Sequence, residues 1–142
     1  MELNLKIEYK TEKMNPIDYH ELRISVGWSS YDLKEIEKGL RNTLFNIVGY
    51  FEEKAIAMGR VIGDGKMVFY IQDVIVLPEY QGNGIGRNIM NLILGYIESN
   101  TVNNSIIGLM SATGKESFYE SFGFIKRPNE RMGCGMNIWV KK

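Results

Sequence analysis

Three alternate glycines between an apolar strand and an amphipathic helix constrain this chain more than any other feature. Val74-Ile75-Val76-Leu77 runs through Pro78-Glu79-Tyr80 into Gln81-Gly82-Asn83-Gly84-Ile85-Gly86, and a helix-patterned segment follows from Arg87 onward. There Ile85, Ile89, Leu92, Ile93, Tyr96 and Ile97 recur at three- and four-residue steps, the spacing of a helix with one buried face. The stretch therefore reads strand, glycine loop, helix. Its bare peptide N–H groups lie where a helix begins, and the first N–H groups of a helix have no intrahelical partner. Such an end carries a partial positive charge and binds phosphate oxygens, and Arg87 can add a full charge. The loop reads as a phosphate cradle. A Walker loop, with its Gly-Lys-Ser/Thr ending, does not fit. The dinucleotide fingerprint fits poorly too, because its third glycine comes three residues after the second and an acidic residue follows about twenty positions on.

The rest of the chain must supply a sheet and a core around that unit. With 142 residues, it is long enough for one domain, 1–142, with a real core. Seventeen basic and seventeen acidic residues cancel, and no basic stripe invites nucleic acid. The first residues lack the apolar core of a signal peptide, and no apolar run approaches membrane-spanning length. A single cysteine makes no internal disulfide, which suits a reducing, cytoplasmic compartment. Neither a membrane nor a nucleic-acid partner is expected. Whether the chain acts alone or as a homodimer is left open.

Leu3, Leu5, Ile7 and Tyr9 alternate with polar residues, as in a half-buried strand. Asn15-Pro16 caps a first helix that should run to about Val26 and stop at Gly27. After the aromatic loop Trp28-Ser29-Ser30-Tyr31, a second helix carries Leu33, Ile36, Leu40 and Leu44 on one face, with Asp32 and Glu35 as a capping pair. Phe45–Phe51, Ala55–Ile62 and Met67–Leu77 read as strands joined by short hairpin turns. Beyond the glycine loop and its helix come an apolar strand, Ser105–Met110, and a short helix, Lys115–Phe122, ending at Gly123. Phe124-Ile125 and Met136–Val140 read as closing strands. The order β-α-α-β-β-β-α-β-α-β-β is a mixed α/β (α+β) fold with a mostly antiparallel central sheet.

Gln81-Gly82-Asn83-Gly84-Ile85-Gly86 and its lead-in Val76, Pro78, Tyr80 resemble the pyrophosphate loop of the GNAT N-acetyltransferase superfamily, Gln/Arg-x-x-Gly-x-Gly/Ala. The element order is also that family's, over nearly the whole chain. The resemblance implies acetyl-CoA as cosubstrate and a primary amine of a small molecule or peptide as acceptor, while one His and one Cys leave no credible metal site. It implies cofactor-binding roles for Gln81, Gly82, Asn83, Gly84, Ile85, Gly86 and Arg87. It also implies a bulge in the preceding strand that exposes N–H groups of Val74, Ile75 and Val76 to the acetyl carbonyl and pantetheine.

Acetyl transfer from a thioester to an amine needs the amine deprotonated, the carbonyl oxygen stabilised and the thiolate protonated. Phe118-Tyr119-Glu120-Ser121-Phe122-Gly123-Phe124 resembles the family's Phe/Leu-Tyr-x-x-x-Gly-Phe segment, which implies that Tyr119 is the general acid. A phenol with a pKa of about 10 holds its proton at neutral pH. Core packing is the other reading of this tyrosine. Asp73 is unusual within an apolar strand and is the candidate base, with capping of backbone N–H groups as an even alternative and a water chain as another route for the proton. Trp28 and Tyr31 lie in the loop that borders the acceptor pocket in the family, so they either shape that pocket or pack. The family's CoA-contacting Asn falls on Ala112 here, a departure that Ser111 or Thr113 could offset. Cys134 reads as a bystander, and His20 as an exposed polar residue. A CoA-binding sensor without turnover, or transfer of a longer acyl group, stays open.

Overall fold

The computed structural model describes residues 5–142, so Leu3 of the expected first strand lies outside the described residues. Residues cluster into two compact units, Met1–Gly108 and Leu109–Lys142, where the sequence reads as one domain.

The first unit is a five-stranded sheet. Strand β1 (Glu8–Lys10) is followed by helices α1 (Pro16–Ser25) and α2 (Leu33–Leu40). Strands β2 (Phe45–Phe51), β3 (Lys54–Gly63) and β4 (Val68–Val76) come next, then a 3-10 turn (Pro78–Tyr80), helix α3 (Ile85–Glu98) and strand β5 (Ile106–Gly108). The strands lie side by side in chain order, antiparallel except for the parallel pair β4–β5. Glu52 and Glu53 turn from β2 to β3 with φ of 48° and 69°, the left-handed pair that a two-residue hairpin twisting with its strands requires. The β3–β4 turn is held by Asp64, whose Oδ1 accepts the N–H groups of Lys66, Met67 and Val68.

Local chemistry explains the helix ends. Asn15 Oδ1 accepts from the Ile17 N–H at 2.8 Å, with Pro16 at the first helical position. At the other end Gly27 has φ +78°, and the Trp28 and Gly27 N–H groups donate back to the Arg23 and Ile24 carbonyls. This is a Schellman closure, and it folds Trp28 back over Arg23. The expected capping pair of α2 does not form: Asp32 makes no side-chain cap bond, and Glu35 pairs with Lys38 on the solvent face instead. On α3, Met90 is buried and Leu92 is 42% exposed, so the apolar face runs through Ile85, Ile89, Met90, Ile93 and Ile97. Tyr96 stacks on Phe45 at 4.4 Å between ring centroids.

Helices α1 and α3 cover opposite faces of the sheet. Successive strand residues point to opposite faces: Asp73 meets α1, while Val74 lies beside the α3 isoleucines. Gly59 of β3 sits beneath α3, and a Cβ there would lie 2.7 Å from Ile93 Cδ1 and 2.8 Å from Ile89 Cγ2. Only glycine lets this helix sit so close.

The second unit holds α4 (Glu116–Glu120) and the chain beyond it. Phe118 meets Tyr119 and Phe122 edge-on, with centroids 5.1 and 5.2 Å away, and Tyr119 meets Phe124. The expected closing strands at Phe124-Ile125 and Met136–Val140 are not found: neither segment joins a ladder among the described residues. A strand needs a neighbour for its backbone groups, and among the described residues these two have none.

Candidate active site

The glycine loop has the conformation its sequence implies. Gly82 and Gly84 have φ of +81° and +77°, in the left-handed region that side chains with a Cβ enter at a cost. A Cβ at either would meet no atom within 4 Å, so backbone shape rather than crowding selects glycine, and the approach to the loop is open. Gly84 is the N-cap of α3, with no side-chain cap and no acidic residue in the first turn. The helix start thus presents N–H donors and the exposed Arg87 with no carboxylate in the first turn, a setting that fits a diphosphate.

Two polar residues of the motif hold the loop itself. Gln81 donates its side-chain amide to the Val76 carbonyl at 2.9 Å, and its backbone N–H goes to the Pro78 carbonyl. Asn83 Nδ2 donates to the Tyr80 and Gln81 carbonyls. Ile85 is buried under the helix.

Strand β4 carries a bulge and an open edge. Met58 pairs with Ile75 but Arg60 with Gln72, so β4 fits one extra residue opposite Gly59. Asp73 takes up the distortion with φ +59°, a conformation that Asp and Asn tolerate better than most residues. On the far side β5 pairs only with Val68, Phe69 and Tyr70, leaving β4 from 71 to 76 without a strand partner there among the described residues. The Leu77 N–H donates to Ile56 of β3. By strand alternation Val76 therefore faces the open edge with both its backbone groups, Val74 does likewise, and Ile75 turns its amide toward β3.

Asp73 is the centre of a buried polar network, with no side-chain surface exposed. Its Oδ1 accepts from Arg23 Nη1 at 2.6 Å and Gln72 Nε2 at 3.4 Å. Its Oδ2 accepts from the Tyr19 hydroxyl at 2.6 Å and Arg60 Nε at 3.1 Å. Burial, followed by the Asp73 charge, pushes the Tyr19 phenol well above its ordinary pKa, so it stays a donor. Arg60 also donates to Thr43 Oγ1, and Arg23 Nε to the Ser29 carbonyl. The Arg23 guanidinium lies 5.4 Å from the Trp28 ring centroid, 5.3 Å from that of Tyr31 and 5.9 Å from that of Tyr19, within cation–π range. Trp28 is half-buried and Tyr31 is 55% exposed. The two loop aromatics are thus joined through Arg23 to the β4 bulge. His20, expected to be exposed, is half-buried with Nδ1 2.9 Å from Ser30 Oγ.

Sequence reasoning missed Tyr19, Arg23 and Arg60. Their signal was present: Arg23 stands four residues after Tyr19 and beside Leu22 on one helix face, and Arg60 interrupts the apolar run Ala55–Ile62.

Tyr119 lies on α4, half-buried. Burial raises its phenol pKa, keeping the proton on at neutral pH. Ser111, one of the two residues that could replace the family's Asn, donates its hydroxyl to the Ala112 carbonyl. Cys134 is exposed. Among the described residues no three His, Cys, Asp or Glu gather as metal ligands, and no helix is long and apolar enough to cross a membrane.

The acetyltransferase (GNAT) domain model matches residues 18–138. The chain belongs to the GNAT acetyltransferase family. Among relatives of this GNAT chain, an uncharacterised N-acetyltransferase of Prochlorococcus marinus is 31% identical over 117 residues, 79% of this chain and 63% of its own length. The chloroplastic GCN5-related N-acetyltransferase 1 of Arabidopsis thaliana is 28% identical over 93% of this chain and 66% of its own. The chain thus spans about two thirds of these relatives' length. A probable acetyltransferase of Staphylococcus aureus has a TM-score of 0.87 at 37% identity, covering 95% of this chain and all of that one. Glucosamine-6-phosphate N-acetyltransferase of Arabidopsis thaliana shares the fold at a TM-score of 0.71 and 15% identity, over 96% of this chain and 99% of that one. Acetyl-CoA is the family's cosubstrate.

Proposed function

We propose that this GNAT domain transfers an acetyl group directly from acetyl-CoA to a primary amine of a small molecule or peptide. The observation that carries the proposal is the pairing of an uncapped, glycine-lined helix N-terminus with an open, bulged strand edge immediately before it in sequence. The N–H groups from Gly82 to Arg87 take the diphosphate of the cosubstrate. The Val74 and Val76 N–H groups hold the pantetheine arm and the acetyl carbonyl, where developing negative charge needs donors. Gln81 acts by clamping the loop to Val76.

One residue then protonates the leaving group, and a second positions the site. Tyr119 gives its proton to the departing thiolate, and its raised pKa keeps it in the donating form. Asp73 serves as a positioning residue rather than as the base, because both its oxygens are already occupied by donors. One carboxylate against two guanidiniums leaves a unit of positive charge beside the bulge, which favours a neutral amine and an oxyanion there. The amine's proton leaves through water. Trp28 and Tyr31 border the acceptor, and the exposed ring of Tyr31 is a surface for its apolar part.

The test is release of free CoA from acetyl-CoA with a panel of primary amines, alongside calorimetric binding of acetyl-CoA. Amine-dependent release supports transfer. Binding without release from any amine would make the domain a CoA sensor.

A further inference from the structure

The two arginines around Asp73 carry more donors than their neighbours use. Arg23 gives Nη1 to Asp73 and Nε to the Ser29 carbonyl, and Arg60 gives Nε to Asp73 and Nη1 to Thr43. Nη2 of each is left without a hydrogen-bond partner among the described residues. Neither nitrogen is sealed in the core, because every fully buried side-chain nitrogen or oxygen among the described residues has a partner. The Arg23 side chain is 6% exposed and that of Arg60 17%, so each guanidinium is fixed by its bonds and open at one corner. The two lie 5.9 and 5.8 Å from the centroid of the same Tyr19 ring. Charge points the same way. The charged groups that act on the Tyr19 phenol are Asp73, Arg60 and Arg23, one negative against two positive.

We propose that the open corners of Arg23 and Arg60 select an acceptor whose amine is accompanied by an anionic group, a carboxylate or a phosphate. The inference rests on the acetyl-transfer reading and names the class of acceptor it takes. Asp73 stands one residue before Val74 and three before Val76, which hold the acetyl carbonyl and pantetheine in that reading. An acceptor attacking there lays its neighbouring atoms beside the two arginines. Planar guanidinium forks match carboxylate and phosphate oxygens in geometry as well as in charge. Asp73 cannot neutralise both of them. A guanidinium N–H without an acceptor in a largely desolvated place costs free energy that an incoming anion recovers. A diamine or polyamine would instead bring another cation to a site that already holds a surplus one, and is disfavoured.

The experiment compares CoA release with matched acceptors: phenylalanine against phenylalaninamide and phenethylamine, and O-phosphoethanolamine against ethanolamine. The anionic member of at least one set is expected to show kcat/KM about tenfold higher, chiefly through KM, and the set with the larger ratio names the anion. Amidation makes the amine less basic and so more often neutral, which biases the first set against the proposal. In Arg60→Gln the ratio is expected to fall toward one, while Arg60→Lys, which keeps the charge, retains part of it. The ratio is taken within one protein, so a general loss of rate lowers both members and leaves it unmoved. Equal or better use of the neutral members by the wild type overturns the proposal and leaves acetyl transfer standing. So does a preference that survives Arg60→Gln undiminished. No release from any amine overturns acetyl transfer and this inference with it. Should Arg60→Gln fail to fold, the wild-type ratio decides alone.

Discussion

The guanidinium of Arg23 in α1 meets the carboxylate of Asp73 in the β4 bulge at 2.6 Å, across fifty positions of sequence and almost wholly out of water. The pair ties the aromatic loop after α1 to the bulge in β4. Asp73→Asn keeps the shape and the left-handed backbone while removing the charge. Leaving two guanidiniums around a neutral amide is expected to cost about 3 kcal/mol of stability, read as a lower denaturant midpoint. If Asp73 positions rather than abstracts, the acid limb of the pH–rate profile stays where it is while kcat falls. A limb that disappears would restore Asp73 as the base.

Tyr119→Phe removes one oxygen from an otherwise aromatic cluster. Acetyl-CoA affinity should be unchanged by calorimetry, and kcat should fall on the order of 100-fold, the usual worth of a general acid. In the wild type, the alkaline loss of kcat should lie above the ordinary phenol value of about 10, because burial raises this pKa.

Gly84→Ala forces a Cβ into a φ of +77° where space is free but backbone energy is not. The penalty of about 1–2 kcal/mol falls on the turn that aims the α3 N–H groups. Acetyl-CoA binding should weaken roughly tenfold, while Gly95→Ala on the same helix, also with free space, should leave it unchanged.

Gly59→Ala tests the seat of α3. Its Cβ would overlap Ile93 Cδ1, and overpacking of this kind costs about 1–3 kcal/mol. Adding Ile93→Val, which deletes that methyl, should recover part of the lost thermal stability. No recovery would mean that α3 is held away from the sheet by Ile89 instead.

Stability should also depend on pH at the alkaline end. Tyr19 titrates higher when folded than when unfolded, so its contribution is complete below the unfolded pKa of about 10 and is lost as pH rises through the folded value. The melting temperature should fall with pH above that point, less steeply in Tyr19→Phe than in the wild type.

What the sequence determined by itself was local. Residues 74–100 announced strand, loop and helix because glycine spacing and helical periodicity act within a few residues of chain, and Asn15 and Gly27 marked the ends of α1 for the same reason. The family could be read there too, since its signature lies in that loop. Tertiary structure decided what distant residues do to one another. Asp73 read equally as a base or as a structural carboxylate, and only the fold brought three donors from α1 and β3 to its oxygens, as it tied the Gln81 side chain back to Val76. It also decided the fate of Met136–Val140, whose pattern says strand but whose pairing depends on a neighbour that no periodicity can name. Backbone propensity is a property of the segment; a hydrogen-bond ladder belongs to two.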